Sequence, residues 1–494
     1  MKGREAGRLD ADVCVIGAGA GGAVVAAELA EGGMSVVVLE EGHWHDPDGF
    51  TARTPEMLAR LYRDGAQIVT LGKPPIMLPL GRGVGGTTLI NSGTCFRTPP
   101  HVLEHWQREF GVDVSEQSLG PCFERVEKAL SVSEVTPELA GANAEVARRG
   151  AERLGWSHGY LRRNARGCVG SGVCTLGCPT SAKQHTGITY IPRAKDAGAR
   201  IVTGAHVQQV LVENGRACGA RARMASGAPI EVRSPIVVVA AGTIHTPLLL
   251  GRSGIGAQSG QLGHNLSVHP ATAIFARMDE IVDMSRGVPQ SLYVDEFAQE
   301  GIMFEGSAGP PAYAAMALPL MGRRHAEAMA DYRRLALFGL MVSDSSRGSV
   351  RTLAGRPLIR YDLVQDDLMR FRKGLARMRE LFDAAGAREV HLPLPEGVSP
   401  EHARLRDLKL MAFHPLGTAR ADARPTRGVI DGDLAVHGVR GVYVADGSAV
   451  PSSLGVNPQL TIMALATRLA FGLLGKDVHG AQTEQDPEEA PCRS

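Results

Sequence analysis

A glycine-rich turn between two short apolar strands constrains this chain more than any other feature. Val13 to Gly17 is a β-branched run, Ala23 to Ala30 is a stretch of small helix formers, and Ser35 to Leu39 is a second β-branched run. Together they read as a β–turn–α–β unit. The turn itself, Gly17-Ala18-Gly19-Ala20-Gly21-Gly22, fits the pattern G-x-G-x-x-G. In such a turn the first glycine permits the tight bend and the second lets a pyrophosphate approach the backbone. The third lets helix and strand pack closely, and the helix N-terminus faces the anion. Glu40, at the end of the second strand, lies where an acid accepts hydrogen bonds from a ribose diol. The unit predicts a dinucleotide site and leaves the choice between FAD and NAD open.

The rest of the chain is long enough, at 494 residues, for two or three structural units. Residues 46–80 are rich in loops, and 101–156 carry helical spacing of apolar positions. Asn214-Gly215 predicts a hairpin turn between Gln208 to Glu213 and Ala217 to Met224. Pro235 to Ala241 reads as a buried strand and Gly441 to Ala445 as a strand, and Asp366 to Ala385 and Gln459 to Leu474 read as helices. Residues 271–360 alternate short strands and loops. Lys and Arg number 53 against 52 Asp and Glu, and aromatics are 5%. That balance gives no basic footprint for nucleic acid and no stacking platform for bases. No apolar run is long enough to span a membrane. Met1 to Asp12 lacks the apolar stretch of a secretory leader, so the cytoplasm is the expected location. The acidic, Pro-containing tail, 479–494, is expected to be disordered. Among eight cysteines, Cys168, Cys174 and Cys178 are clustered, which in a reducing compartment points to metal or redox chemistry as readily as to chance.

Further motifs follow in order. Gly81-Arg82-Gly83-Val84-Gly85-Gly86-Thr87-Thr88 leads to Asn91, and Gly263-His264-Asn265-Leu266 leads to His269-Pro270. His414-Pro415-Leu416-Gly417-Thr418, Gly428-Val429-Ile430-Asp431, Val444-Ala445-Asp446-Gly447-Ser448 and Asn457-Pro458-Gln459-Leu460-Thr461 close the set. This content and order resembles the glucose–methanol–choline (GMC) oxidoreductase family, from about residue 10 to 475 and most weakly over 271–400. The resemblance implies an α/β fold (α+β overall), with a Rossmann-like FAD-binding domain and a substrate domain built on an antiparallel sheet. The first would be assembled from 1–100, 164–270 and 408–478, the second from 101–163 and 271–407.

Carried over residue by residue, Gly17, Gly19, Gly22 and Glu40 would hold the ADP half of FAD, and Val207 would meet adenine. Gly85, Gly86, Thr87 and Asn91 would line the pyrophosphate and flavin edge. Asp446, Gly447, Asn457 and Pro458 would sit at the ribityl and pyrimidine end. Some relatives attach FAD through a His in the Gly-Gly loop; Ile90 stands there, which implies non-covalent FAD. His414 matches the family's active-site His and Asn457 its partner. His269 would orient a loop near the flavin.

The implied reaction is oxidation of an alcohol CH–OH to an aldehyde or ketone, by proton abstraction and hydride transfer to flavin N5. Oxygen, a protein or a quinone would accept the electrons. Gly177-Cys178-Pro179, Lys183 and Thr189-Tyr190 resemble long-chain alcohol oxidases and related bacterial members. Met303, Phe304, Met316, Leu318, Leu320 and Met321 suggest an apolar pocket for a long-chain, aromatic or sterol-like alcohol, although such a stripe is also ordinary core. The spacing of Cys168, Cys174 and Cys178 also resembles the flavin subunit of membrane-linked sugar dehydrogenases, which implies an iron–sulfur cluster on these three residues, relaying electrons to a protein partner. Plain thiols are the alternative. A hydroxynitrile-lyase-like flavoprotein, using the same His without redox chemistry, is a further reading, and a non-catalytic flavin-binding module another.

Overall fold

The computed structural model describes residues 7–476. The predicted β–turn–α–β unit is present as the strand Val13–Ile16, the helix Ala20–Glu31 and the strand Val36–Glu40. These strands form the centre of a five-stranded sheet in the spatial order Val442–Val444, Ile236–Val239, Val13–Ile16, Val36–Glu40 and Arg200–Thr203. Every pair in it is parallel. Strands buried on both faces need continuous apolar runs, which explains why Val13, Cys14, Val15, Val237, Val238 and Val239 all reach zero exposure. The long C-terminal helix, Gln459–Leu473, packs on Ala20–Glu31 and closes one face.

A second sheet has mixed pairing and eight strands. Pro270–Arg277, Leu335–Val342 and Ile302–Gly306 form its antiparallel centre. The short strands Ile76–Met77 and Leu410–Ala412 pair parallel at one edge. The helices Ala142–Leu154 and Gln365–Ala384 cover its outer side through Ala147, Ala151, Phe371, Leu375 and Phe382. A four-stranded sheet carries the hairpin Ala205–Glu213 and Arg216–Met224, whose turn residues Asn214 and Gly215 have φ of 52° and 72°. Two positive φ values at an Asn-Gly turn are what a tight hairpin demands.

The packing bears on where the two proposed domains divide. The helices Pro100–Phe110 and Glu116–Ala129 bury Trp106, Phe110, Leu119 and Phe123 in the same core as the parallel sheet. A boundary near residue 131 therefore fits the packing better than one at 101. Among the described residues, no helix is long and apolar enough to cross a membrane. The tail expected to be disordered, 479–494, lies outside the described residues.

Candidate active site

The site lies along one cavity of about 680 Å³ that runs from the glycine turn to the edge of the mixed sheet. At its nucleotide end the glycines of the turn do different work. A Cβ on Gly17 would lie 2.3 Å from the Ala240 carbonyl oxygen, one on Gly22 2.1 Å from that of Gly17, and one on Gly21 1.8 Å from that of Ala445. These three positions are glycine because the protein's own backbone crowds them. Gly19 is different: a Cβ there would meet nothing closer than the Gly86 Cα at 3.9 Å, and its φ of −80° suits any residue. The space over Gly19 belongs to the cavity, at the N-terminus of the helix, where backbone N–H groups favour an anion.

Glu40 is buried, and its carboxylate accepts from the backbone N–H groups of Ala18 and Gly42, both at 2.8 Å. Burial pushes its carboxyl up, while these two bonds pull it down. Val207 lines the same end from the strand Ala205–Glu213. Gly85 and Gly86, with φ of 108° and 52°, bring the second glycine loop against the first: the Gly85 N–H donates to the Ala18 carbonyl at 3.1 Å. Thr87, Ile90 and Asn91 follow along the cavity wall. The Asn91 side chain donates to Gln459, and its oxygen accepts from the Gly93 N–H at 3.1 Å.

Asp446, Gly447, Asn457 and Pro458 all line the cavity. The Asp446 carboxylate accepts from the Gly242 N–H, the Thr246 hydroxyl, and the Ser448 N–H and hydroxyl. It therefore ties together the loops that leave two neighbouring parallel strands. Pro458 caps the helix Gln459–Leu473, which opens beside the cavity. The open cradle over Gly19, the acid at the end of the second strand and the continuous cavity fit the flavin dinucleotide that the motifs imply.

At the far end, His414 Nε2 lies 3.3 Å from Asn457 Nδ2. Burial and neighbouring His269 hold the His414 imidazole well below its usual range, so it is neutral. With the Asn457 amide nitrogen toward it, Nε2 is the accepting nitrogen of the ring. The rings of His269 and His414 meet edge to face, 5.4 Å apart. His269 Nε2 accepts from the backbone N–H groups of Leu454 and Gly455, both at 2.9 Å, which fixes the turn leading into Asn457.

The structure adds Glu305, which the motifs do not mark. It sits in the buried strand Ile302–Gly306, and its Oε2 accepts from Asn457 Nδ2 at 3.4 Å and Gln290 Nε2 at 3.2 Å. Its Oε1 has no partner. Burial pushes the carboxyl up to about 7. An acid within the apolar run Met303-Phe304-Glu305-Gly306 is the signal that could have found it, since an unpaired buried carboxylate is costly.

The iron–sulfur expectation is corrected. Among the described residues, no three His, Cys, Asp or Glu side chains are placed to hold a metal ion. The three sulfurs take separate partners: Cys168 accepts from the Gly170 N–H, Cys174 from Arg163 Nη2 at 3.2 Å, and Cys178 from the Lys183 N–H at 3.4 Å. The loop has a different task. It carries fully buried Lys183, whose Nζ donates to the carbonyls of Leu89, Asn91 and Cys174 at 2.9, 2.6 and 2.8 Å. Lys183 thus clamps the second glycine loop from behind.

Comparison with known proteins agrees with this architecture. Family models described as GMC oxidoreductase match residues 58–271 and 344–466. An uncharacterised GMC-type oxidoreductase of Mycobacterium tuberculosis is 41% identical over 95% of this chain and 76% of its own length. A long-chain-alcohol oxidase of Arabidopsis thaliana is 28% identical over 93% of this chain and 66% of its own length. The crystal structure of pyridoxine 4-oxidase from Mesorbium loti superposes with a TM-score of 0.76 at 19% identity, over 93% of this chain and 98% of that one. The chain belongs to the GMC oxidoreductase family and is an enzyme of that family.

Proposed function

We propose that this enzyme binds FAD non-covalently and oxidises an alcohol with an apolar body to the aldehyde or ketone. The observation that carries the reading is the pairing of His414 Nε2 with the Asn457 amide nitrogen, 3.3 Å apart, on the wall of the cavity. Bound FAD would supply the acceptor for the hydride. The chain's own residues would do the rest. His414 Nε2 would take the hydroxyl proton, since a neutral imidazole accepts one without first losing one. The Asn457 amide would donate to the developing alkoxide, a task suited to a fixed dipole in a site shielded from water. Leu337, Leu340, Met341, Met411 and Phe413 line this end and would exclude water around the substrate body. The relatives named long-chain-alcohol oxidases support an aliphatic alcohol, with aromatic and sterol-like alcohols as the neighbouring classes. We further propose a cytoplasmic location, with oxygen or a protein or quinone as the final acceptor.

The test is the visible spectrum of the flavin-loaded protein under anaerobic conditions as long-chain or benzylic alcohol is added. Bleaching of the flavin bands is the expected result. Bands that stay oxidised with every alcohol would overturn the redox reading and favour the lyase-like one.

A further inference from the structure

The cavity that holds His414 and Asn457 is also lined by a buried carboxyl that alcohol oxidation as proposed leaves unused. Glu305 is 5% exposed and lines the cavity, and its Oε1 is buried with no hydrogen-bond partner. Its Oε2 is occupied by Asn457 and Gln290, and Gln290 is in turn held by the Thr94 hydroxyl at 2.8 Å. The carboxyl is therefore held through one oxygen and left unpartnered at the other. No basic side chain bonds to it among the described residues, so its free oxygen is not spent on an ion pair. A buried carboxyl oxygen without a partner is costly, and a bound group that satisfies it recovers that cost.

We infer that Glu305 Oε1 is a second recognition point for the substrate: it takes a hydroxyl on a carbon next to the one that reacts, so that the preferred substrate is a vicinal diol with an apolar tail. The inference rests on the alcohol-oxidation reading and narrows its substrate class. The placement follows from the bonding pattern. One Asn457 nitrogen lies within hydrogen-bond reach of both His414 Nε2 and Glu305 Oε2, so the base and the Glu305 carboxyl flank the same amide nitrogen. Two adjacent carbinol oxygens suit groups placed so, whereas a donor further along a chain overshoots the carboxyl. A hydroxyl suits this carboxyl better than an ammonium does. It both donates and accepts, so it satisfies Oε1 whether the acid is protonated or ionised, while an ammonium needs the ionised form.

The experiment separates this inference from the reading beneath it. The flavin-loaded protein is given 1-hexanol, 1,2-hexanediol and 2-amino-1-hexanol under steady-state conditions, and kcat/KM is compared within each protein. Calorimetry then measures binding of pinacol and of its monohydroxy counterpart, neither of which has a carbinol hydrogen to lose. Wild type should favour the diol over the alkanol at least tenfold in both measurements, the worth of one well-placed hydrogen bond to a charged or buried group. Glu305→Leu should bring both ratios to within about twofold, while isosteric Glu305→Gln keeps most of the preference, its amide oxygen accepting from Asn457 and Gln290 and its amide N–H donating to the second hydroxyl. Because each ratio is internal, a general loss of activity in a variant cancels, and the Gln form guards against a misfolded Leu form. Equal ratios in wild type, or a diol preference that survives Glu305→Leu, would overturn the inference. An amino alcohol preferred over the diol would overturn the choice of a hydroxyl. No turnover of any alcohol, with the pinacol preference intact, would defeat the oxidation reading alone.

Discussion

Replacing Gly19 by Ala separates the part of the turn that belongs to the protein from the part that belongs to the nucleotide. An alanine Cβ at Gly19 finds open space out to 3.9 Å, and the backbone there is already extended. The apoprotein therefore loses only the difference between Gly and Ala at a helix N-cap, from a few tenths to about 1 kcal/mol. It regains roughly 0.4–1 kcal/mol from a less mobile unfolded chain. The net change should stay within about 0.5 kcal/mol. Gly21→Ala is the contrast: its Cβ would sit 1.8 Å from the Ala445 carbonyl oxygen, so the helix or the loop must move. Forced overpacking of that kind costs about 1–3 kcal/mol or more. For the nucleotide the ranking inverts in kind. A methyl over Gly19 holds the pyrophosphate off the helix N-terminus and removes one or two charge-assisted hydrogen bonds, about 2–5 kcal/mol, or roughly thirtyfold to a few thousandfold in affinity. Urea unfolding of the two apoproteins and quenching of flavin fluorescence on titration with FAD read the two effects apart. FAD affinity within threefold of wild type in Gly19→Ala would refute the cradle. So would an apoprotein as destabilised as Gly21→Ala.

Three further outcomes follow from the same geometry. His414→Ala should keep its flavin and lose about 10²–10⁴-fold in kcat. Because burial and His269 hold the wild-type imidazole neutral, kcat/KM should show no acid limb from this residue down to pH ~6; a limb near 6.5 that disappears in the variant would refute the neutral assignment. Lys183→Met should lower the urea midpoint by an amount equivalent to about 3 kcal/mol, because three buried carbonyls lose their donor while the desolvation of an ammonium is relieved; a change below about 1 kcal/mol would mean the clamp carries little. Glu305→Gln should gain stability over wild type as pH rises. The folded carboxyl, raised to about 7, stays protonated where the unfolded one, near 4.5, has ionised, so the wild-type fold is penalised increasingly from pH 4.5 to 7 and by a constant amount above. The gap should be absent below that window and on the order of 3 kcal/mol above it, read by urea unfolding of the apoproteins across pH.

The sequence reads well where the determinant is local and poorly where it is a meeting of distant segments. The turn at Gly17, the hairpin at Asn214-Gly215 and the helix Gln459–Leu473 are each fixed by residues within a few positions of one another. Backbone conformation and apolar period are sufficient to see them. The pairing of His414 with Asn457 joins residues 43 apart and becomes legible only through the ordered motifs on either side. Glu305 reaches Asn457 across 152 residues, from a strand whose flanking sequence carries no motif. The cysteine spacing misleads for a related reason. Gly170, Gly172 and Gly177 all have positive φ and turn the chain between the sulfurs, so nearness in sequence does not become convergence in space.

Glycine motifs and buried charges hold this site together in different ways. The glycines let backbone approach backbone, or leave room for a ligand, but they do not fix the relative position of segments that arrive from different parts of the chain. Buried polar groups do that. Asp446 joins the loops after two parallel strands, and Lys183 joins the second glycine loop to the cysteine loop. Asp344, also buried, accepts from the Val268 and His269 N–H groups and from the Tyr361 and Ser453 hydroxyls. Each has its acceptors or donors largely satisfied by protein, the condition under which a buried charge is tolerated at all. Glu305 differs, because one of its buried oxygens has no partner in the protein. In a site where these other buried groups are committed to holding the chain, a buried carboxyl oxygen without a partner is best explained by what the cavity receives.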